Sequence, residues 1–333
     1  MTITYLFRSS GTGHSIETLF GVIQQEVGKS LPVNHVRLPH ISQGIRSVWK
    51  NLRFVIRQRF NSIVHITGDV HYTVLVLSSS RTILTIHDCI TLEKHRNAPL
   101  QYAFFWCFWF YLPVRRAAAV TVVSEKSRQE LIHYLGRIAE KAIVVSNAYQ
   151  PAFTYHPGSF NKEKPTLLQI GTASHKNLLR LTAALDGIAC KLIIIGPLSE
   201  SVTDELIARQ IAYENHTNLS QAEILQMYVR CDIVLFVSTY EGFGMPILEA
   251  NAVGRAVVTS DRSPMREVAA NAALLVDPTD VTAIQKGIQR VIDDDDYRQA
   301  LIEEGLRNAA NYTVDVVAAR YLPIYQKIGC KPT

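Results

Sequence analysis

Short β-branched runs alternate with amphipathic stretches along this chain, and the series runs through twice. In the first half, residues 3–7, 33–36, 63–66, 82–86, 120–123 and 143–145 read as buried strands. Their length and Val/Ile content argue against helix. Stretches such as 15–27 and 125–135 fall between them with helical spacing. Residues 149–165 contain Pro151, Pro157, Gly158 and Pro165 without periodicity, which marks a linker. The pattern then restarts, with strands expected at 166–170, 191–195, 211–213, 233–237, 256–259 and 273–275. Strand alternating with helix means a parallel sheet covered on both faces. Two such series predict an α/β chain of two doubly wound Rossmann-like domains, with an interdomain cleft lined by strand C-termini. A length of 333 residues gives each domain enough chain for its own core.

Five cysteines, an odd number with no C-x-x-C pair, suggest reduced thiols in a cytoplasmic protein, with neither a disulfide frame nor a zinc site. No signal peptide is expected from MTITYLFRSSGTGHS, and no run has the ~18–20 apolar residues of a spanning helix. Charge is divided unevenly. Residues 1–155 carry 17 Lys and Arg against 8 Asp and Glu; residues 156–333 carry 17 against 21. The first half is the one expected to face an anionic partner.

The densest local information lies at 237–278. An apolar strand, DIVLFV, runs into Glu241-Gly242-Phe243-Gly244 and then Met245-Pro246-Ile247-Leu248-Glu249, which opens a helix. Proline suits a first turn, where its missing N–H has no partner to lose. The free N–H groups of that turn favour an anion, and the glycines allow close backbone approach to a ligand. Glu241 is placed on the loop and Glu249 in the first helical turn. A second Pro-led helix start is expected at Ser263-Pro264.

Glu241 and Glu249, with seven residues between them, resemble the E-x7-E signature of the retaining nucleotide-sugar glycosyltransferases of family 4. Ser238, EGFGMPILEA, the strand at 254–258, Glu267-Val268 and Asp277-Pro278 extend the likeness over about forty residues. The resemblance implies the GT-B architecture: an acceptor-side domain at 1–155, a nucleotide-sugar domain at 156–311, and a last helix, 312–328, that crosses back to the first domain with a kink at Pro323. It implies Glu241 as a catalytic residue. Gly242, Phe243, Gly244 and Met245 would grip donor sugar, and Glu249 would accept hydrogen bonds from ribose. It also implies metal independence, with no cofactor beyond the nucleoside-diphosphate sugar. The four carboxylates at 293–296 are accordingly read as a solvated turn.

LQIGTASHKNL, at 168–178, is similar to the family's phosphate-holding turn. Gly171, Lys176 and Asn177 match it, and Lys176 would neutralise the diphosphate as a mobile point charge. Thr172 stands where many members carry arginine; His175 is a candidate substitute. The plain alternative for Lys176 is a surface lysine. Ile86-His87-Asp88 ends a strand. It reads as a base with its orienter, or as a satisfied histidine beside a helix cap; the resemblance puts His87 near the donor sugar with Asp88 in support. Ser124 reads chiefly as an N-cap.

The loop after the first strand contains Gly11-Thr12-Gly13. A phosphate-facing role, implied on the donor and acceptor side, stands beside a purely structural turn. A dinucleotide fingerprint fails, because its third glycine would fall at Ile16 and Arg37 and His40 stand where an acidic ribose partner belongs.

Two further stretches have a bland reading as core helices and an interfacial one. Residues 44–60 place Arg46, Lys50, Arg53, Arg57 and Arg59 among Ile45, Trp49, Phe54 and other apolar residues, the pattern of a basic amphipathic helix. Residues 104–111 are nearly all aromatic, followed by Arg115 and Arg116. Expected partners are a nucleoside-diphosphate-sugar donor, a glycan or lipid-linked acceptor and an anionic membrane surface on the cytoplasmic side, with no nucleic acid. Alternatives left open are a nucleotide-sugar epimerase or hydrolase, and a membrane-associated sugar-nucleotide-binding protein of weak catalysis.

Overall fold

The structure, a computed structural model, describes residues 1–10 and 15–330. Gly11, Thr12 and Gly13 lie outside the described residues. Two compact units are formed, Met1–Gln150 with Val314–Thr333, and Pro151–Thr313.

The first unit is a six-stranded parallel sheet of β1 (Ile3–Phe7), β2 (Val33–Arg37), β3 (Ile63–Ile66), β4 (Thr82–Ile86), β5 (Ala119–Val122) and β6 (Ile143–Val144), in the order β2-β1-β3-β4-β5-β6. The chain leaves β1 toward β2 and returns to the other side at β3. The order therefore reverses between β1 and β3, where open α/β sheets bind ligands beyond the strand C-termini. One face packs the helices Gly44–Gln58 and Glu125–Leu135 through Val55, Leu131 and Leu135. The other packs Ser15–Val27 and the C-terminal helix Val314–Gly329 through Phe20, Ile23, Val317, Tyr321 and Tyr325. That last helix continues through Pro323, which sits on its exposed side.

A buried polar seam ties the returning helix to the sheet. His65 Nδ1 lies 2.8 Å from the Tyr325 hydroxyl, and Nε2 lies 2.7 Å from Thr85 Oγ1. The Tyr5 and Tyr325 hydroxyls are 3.0 Å apart. Burial pushes the His65 pKa down to about 3, so the ring is neutral and both nitrogens work in hydrogen bonds. Each such bond is worth about 1 kcal/mol net, against about 1.5–3 kcal/mol for each large apolar side chain buried. Apolar burial therefore holds the helix, and the seam selects its register.

The second unit contains β7 (Thr166–Ile170), β8 (Lys191–Ile195), β9 (Ala212–His216), β10 (Ile233–Phe236), β11 (Ala256–Ser260) and β12 (Leu274–Val276), parallel in the order β12-β11-β10-β7-β8-β9. Its reversal lies between β7 and β10. Buried Arg255 staples the unit together, giving hydrogen bonds from Nη1 to His156 O (2.8 Å), from Nη2 to Val229 O (2.9 Å) and from Nε to Tyr228 O (3.1 Å).

The main departures from the sequence reading are at sheet edges. β6 stops at Val144 and exposes both its residues, and β2 is likewise largely open. Both are edge strands, a position set by strand order and not by local composition. β9, the edge of the second sheet, runs Ala212–His216 instead of 211–213. The helix Met245–Val253 puts Glu249 at its fifth residue, so it belongs to the second turn and not the first. The short helix after β11 begins at Met265, with Pro264 at its N-cap. Among the described residues no helix is long and apolar enough to cross a membrane.

Candidate functional site

Both side chains that the sequence singles out for charge meet at the β7/β10 reversal. Lys176 follows β7 on a single turn of 3-10 helix, Ser174–Lys176, and Glu241 follows β10. Lys176 Nζ donates to Glu241 Oε1 at 2.6 Å, and the ammonium also stands 4.7 Å from the centroid of the Phe236 ring. Only 18% of the lysine side chain and 14% of the glutamate is exposed. A pair so enclosed exchanges little with solvent, so an incoming anion competes with Glu241 for the lysine instead of with water.

Gly171 determines the path of Lys176. Its φ is 86°, and a Cβ there would sit 2.9 Å from Lys176 Cε. The lysine stem thus lies against the glycine backbone, and any side chain at 171 displaces it. Thr172, where a basic residue was expected, donates to Pro197 O at 2.6 Å and closes the neighbouring β8 turn. His175 presents its backbone carbonyl, which accepts from Thr239 N at 2.7 Å and joins the two loops. Asn177, in the left-handed region at φ 63°, is buried, and its amide donates to Val237 O (3.0 Å) and Pro278 O (2.7 Å). Its side chain thus holds three strand-end loops in place.

Gly242, Phe243 and Gly244 connect β10 to the helix Met245–Val253. Phe243 is buried against Tyr312, with ring centroids 6.0 Å apart, so its side chain anchors the loop. Gly244 has φ 121°, and Met245 remains partly exposed at the helix start. Glu249 points back from the second turn. Its Oε2 accepts from the Tyr228 hydroxyl at 2.5 Å. Burial raises the Glu249 pKa, while that hydrogen bond and the nearby Lys176 charge lower it. Glu249 therefore belongs to the same electrostatic site as the lysine.

Beyond β4, one strand over from the reversal of the first sheet, His87 Nε2 lies 2.8 Å from Thr67 O. A carbonyl only accepts, so Nε2 carries the proton. Burial lowers the His87 pKa, so the ring is neutral and Nδ1 carries the lone pair. Asp88 does not orient this ring; its Oδ1 caps the following turn by accepting from Ile90 N at 3.0 Å. Thr67 is the orienter instead. Ser124 is the N-cap of its helix, accepting from Ser127 N at 3.1 Å.

Four residues escaped the sequence reading. Tyr228 and Arg255 brace the Glu249 region. Asp69 follows β3, and Trp109 Nε1 donates to its Oδ1 at 2.6 Å. Burial raises the Asp69 pKa to about 6. A signal existed for two of them. Arg255 is a charge at the mouth of the fully buried strand β11, and Asp69 is a carboxylate just beyond a strand end. Nothing in the spacing marks Tyr228 or Trp109.

Comparison with known proteins agrees with this geometry. The family described as Glycosyl transferases group 1 matches residues 155–307, and Glycosyltransferase Family 4 matches residues 10–153. The O-antigen chain mannosyltransferase B of Escherichia coli is 27% identical over 74% of this chain and 70% of its own length. The N,N'-diacetylbacillosaminyl-diphospho-undecaprenol alpha-1,3-N-acetylgalactosaminyltransferase of Campylobacter jejuni is 25% identical over 50% of this chain, a match spanning 46% of that relative. Among solved structures, sucrose-phosphate synthase from Thermosynechococcus elongatus superposes with a TM-score of 0.78 at 14% identity, covering 98% of this chain and 99% of that one. WaaG, a glycosyltransferase involved in lipopolysaccharide biosynthesis, gives 0.73 at 13% identity over 99% and 100%. With two Rossmann-like sheets, a site at the reversal of the second, and family matches running from residue 10 to residue 307, the chain belongs to the GT-B glycosyltransferases of family-4 type.

Proposed function

We propose that the chain transfers a hexose-type sugar, with retention of anomeric configuration, from a nucleoside diphosphate to a hydroxyl of a glycan or lipid-linked saccharide. The observation that carries this reading is the enclosed Lys176–Glu241 pair, with Glu249 in its field, at the β7/β10 reversal. Relatives support the chemical class. Two are O-antigen chain mannosyltransferases, one is named for an undecaprenol-linked acceptor, and the fold neighbour HepE from Anabaena was solved with UDP-glucose.

In this reading the donor diphosphate takes Lys176 from Glu241. The released carboxylate then accepts hydrogen bonds from donor sugar hydroxyls, beside the Gly242 and Gly244 backbone. The C1–O bond to phosphate breaks as the acceptor oxygen bonds C1 from the same face, and the acceptor proton passes to the departing phosphate oxygen. Lys176 and the N–H groups at the start of Met245–Val253 stabilise the charge that develops there, an electrostatic mode of catalysis. Glu249 holds ribose, and His87 keeps the donor-sugar role that the resemblance implies for it. No metal enters this scheme.

The same proposal places the first unit against an anionic membrane on the cytoplasmic side. On the helix Gly44–Gln58, Ile45, Trp49 and Ile56 form an exposed apolar stripe next to exposed Arg46, Lys50, Arg53 and Arg57. Phe54 instead packs on the core. Phe104 and Phe108 are further exposed rings, on the aromatic segment 104–111 of the same unit.

Incubating the protein with UDP-, GDP- and ADP-sugars, and following donor hydrolysis and thermal stabilisation, tests the donor assignment. Stabilisation by one nucleotide class, lost in Lys176→Ala, is the expected result. Indifference to all three classes refutes it.

A further inference from the structure

We infer that Tyr228 is a positioning residue for the donor: it occupies one oxygen of Glu249 so that the other is presented to a ribose diol. This rests on the reading of Glu249 as the ribose acceptor and extends it to a residue one helix away.

Tyr228 is fully buried near the end of the helix Gln221–Arg230. Its ring meets Phe153 edge-on at 5.3 Å, and its backbone carbonyl accepts from Arg255 Nε at 3.1 Å. The phenol is thus fixed at its ring and at its backbone before Glu249 is considered. Burial and the adjacent carboxylate keep its pKa well above the ordinary value, so it stays a neutral donor. In the 2.5 Å contact the phenol therefore donates and Oε2 accepts. Among the described residues no hydrogen bond reaches Oε1. A carboxylate held this way has one committed oxygen and one open one, with its torsion set by a rigid neighbour. Neutral vicinal hydroxyls donate well to such an oxygen. A glutamate free to rotate would lose side-chain entropy on binding.

The test compares nucleoside diphosphates with their 2′,3′-dideoxy counterparts, using UDP, GDP and ADP as probes and calorimetry as the readout. The wild-type protein is expected to favour the ribonucleotide. Tyr228→Phe should weaken ribonucleotide binding about tenfold, as for loss of a hydrogen bond to a charged group, and leave the dideoxy compound nearly unaffected. A purely structural tyrosine would weaken both equally, and that result overturns the inference. Equal wild-type binding of the two ligands would instead remove the ribose reading of Glu249, and the inference with it. Glu249→Gln keeps the side-chain shape and covers the case in which Tyr228→Phe does not fold. Its single acceptor oxygen would be taken by Tyr228, leaving only the amide N–H donors toward the diol, so discrimination should shrink; undiminished discrimination in this variant also overturns the inference.

Discussion

Lys176 and Glu241 form an ion pair of 2.6 Å although they lie 65 residues apart and follow different strands. The sheet order brings them together, because β7 and β10 are neighbours at the point where the winding reverses. The two residues assigned to leaving-group charge and donor sugar hold each other before any ligand arrives. Glu241→Gln should therefore separate binding from turnover. Releasing the lysine should tighten nucleoside-diphosphate binding a few-fold, in keeping with ~1 kcal/mol for a partly exposed pair. Turnover should fall on the order of a hundredfold if the carboxylate is used in the reaction. Affinity and turnover falling together in calorimetry and a transfer assay would contradict the competition.

Gly171 gives a second handle on the same lysine. Alanine there meets a φ of 86° and would place Cβ 2.9 Å from Lys176 Cε. The backbone strain costs about 1–2 kcal/mol, so the melting temperature should drop by a few degrees. The displaced lysine should lower nucleoside-diphosphate affinity and leave nucleoside affinity unchanged. A variant destabilised to that extent but with wild-type diphosphate binding would separate the glycine from the lysine.

Strand interiors were legible in the sequence because β-branched runs such as LTI within β4 and KLIII in β8 have no other comfortable conformation. The E-x7-E stretch was legible because it is local. What remained hidden depends on contacts across the chain. Ile143 and Val144 look like core residues until strand order puts β6 at an edge. Asn177 carries no mark of the Val237 and Pro278 carbonyls that its amide joins. Tyr228 reads as one more apolar residue on an amphipathic helix until Glu249, 21 positions later, reaches its hydroxyl.

Asp69 and Trp109 predict a measurable pH response. Burial raises Asp69 from 3.8 to about 6, opposed by the Trp109 hydrogen bond and the charge of Arg8, while Asp88 adds to the rise. The folded chain then keeps a proton that the unfolded chain releases, so this group's contribution to stability declines as pH rises from about 4 to about 6. Trp109 emission of the folded protein should titrate around pH 6, and Asp69→Asn should abolish the step and flatten the stability curve. A step that survives in Asp69→Asn would have to come from another group.

The basic helix predicts salt-sensitive adsorption. Arg46, Lys50, Arg53 and Arg57 share the exposed side of Gly44–Gln58 with Ile45, Trp49 and Ile56, and Arg59 follows just past the helix end. A basic residue close to an anionic surface contributes about 1 kcal/mol, so these side chains suffice for reversible binding. That attraction fades over a Debye length of about 8 Å at physiological salt, whereas insertion of Trp49 and Ile56 does not depend on salt. The two contributions can therefore be told apart in vesicle sedimentation. Binding should require anionic lipid and weaken as salt rises, with a residual salt-resistant fraction. Arg53→Glu with Arg57→Glu should remove the salt-sensitive part, and Trp49→Ala should remove the residue. Protein that stays in the supernatant with anionic vesicles at low salt would assign this face to a soluble acidic partner instead.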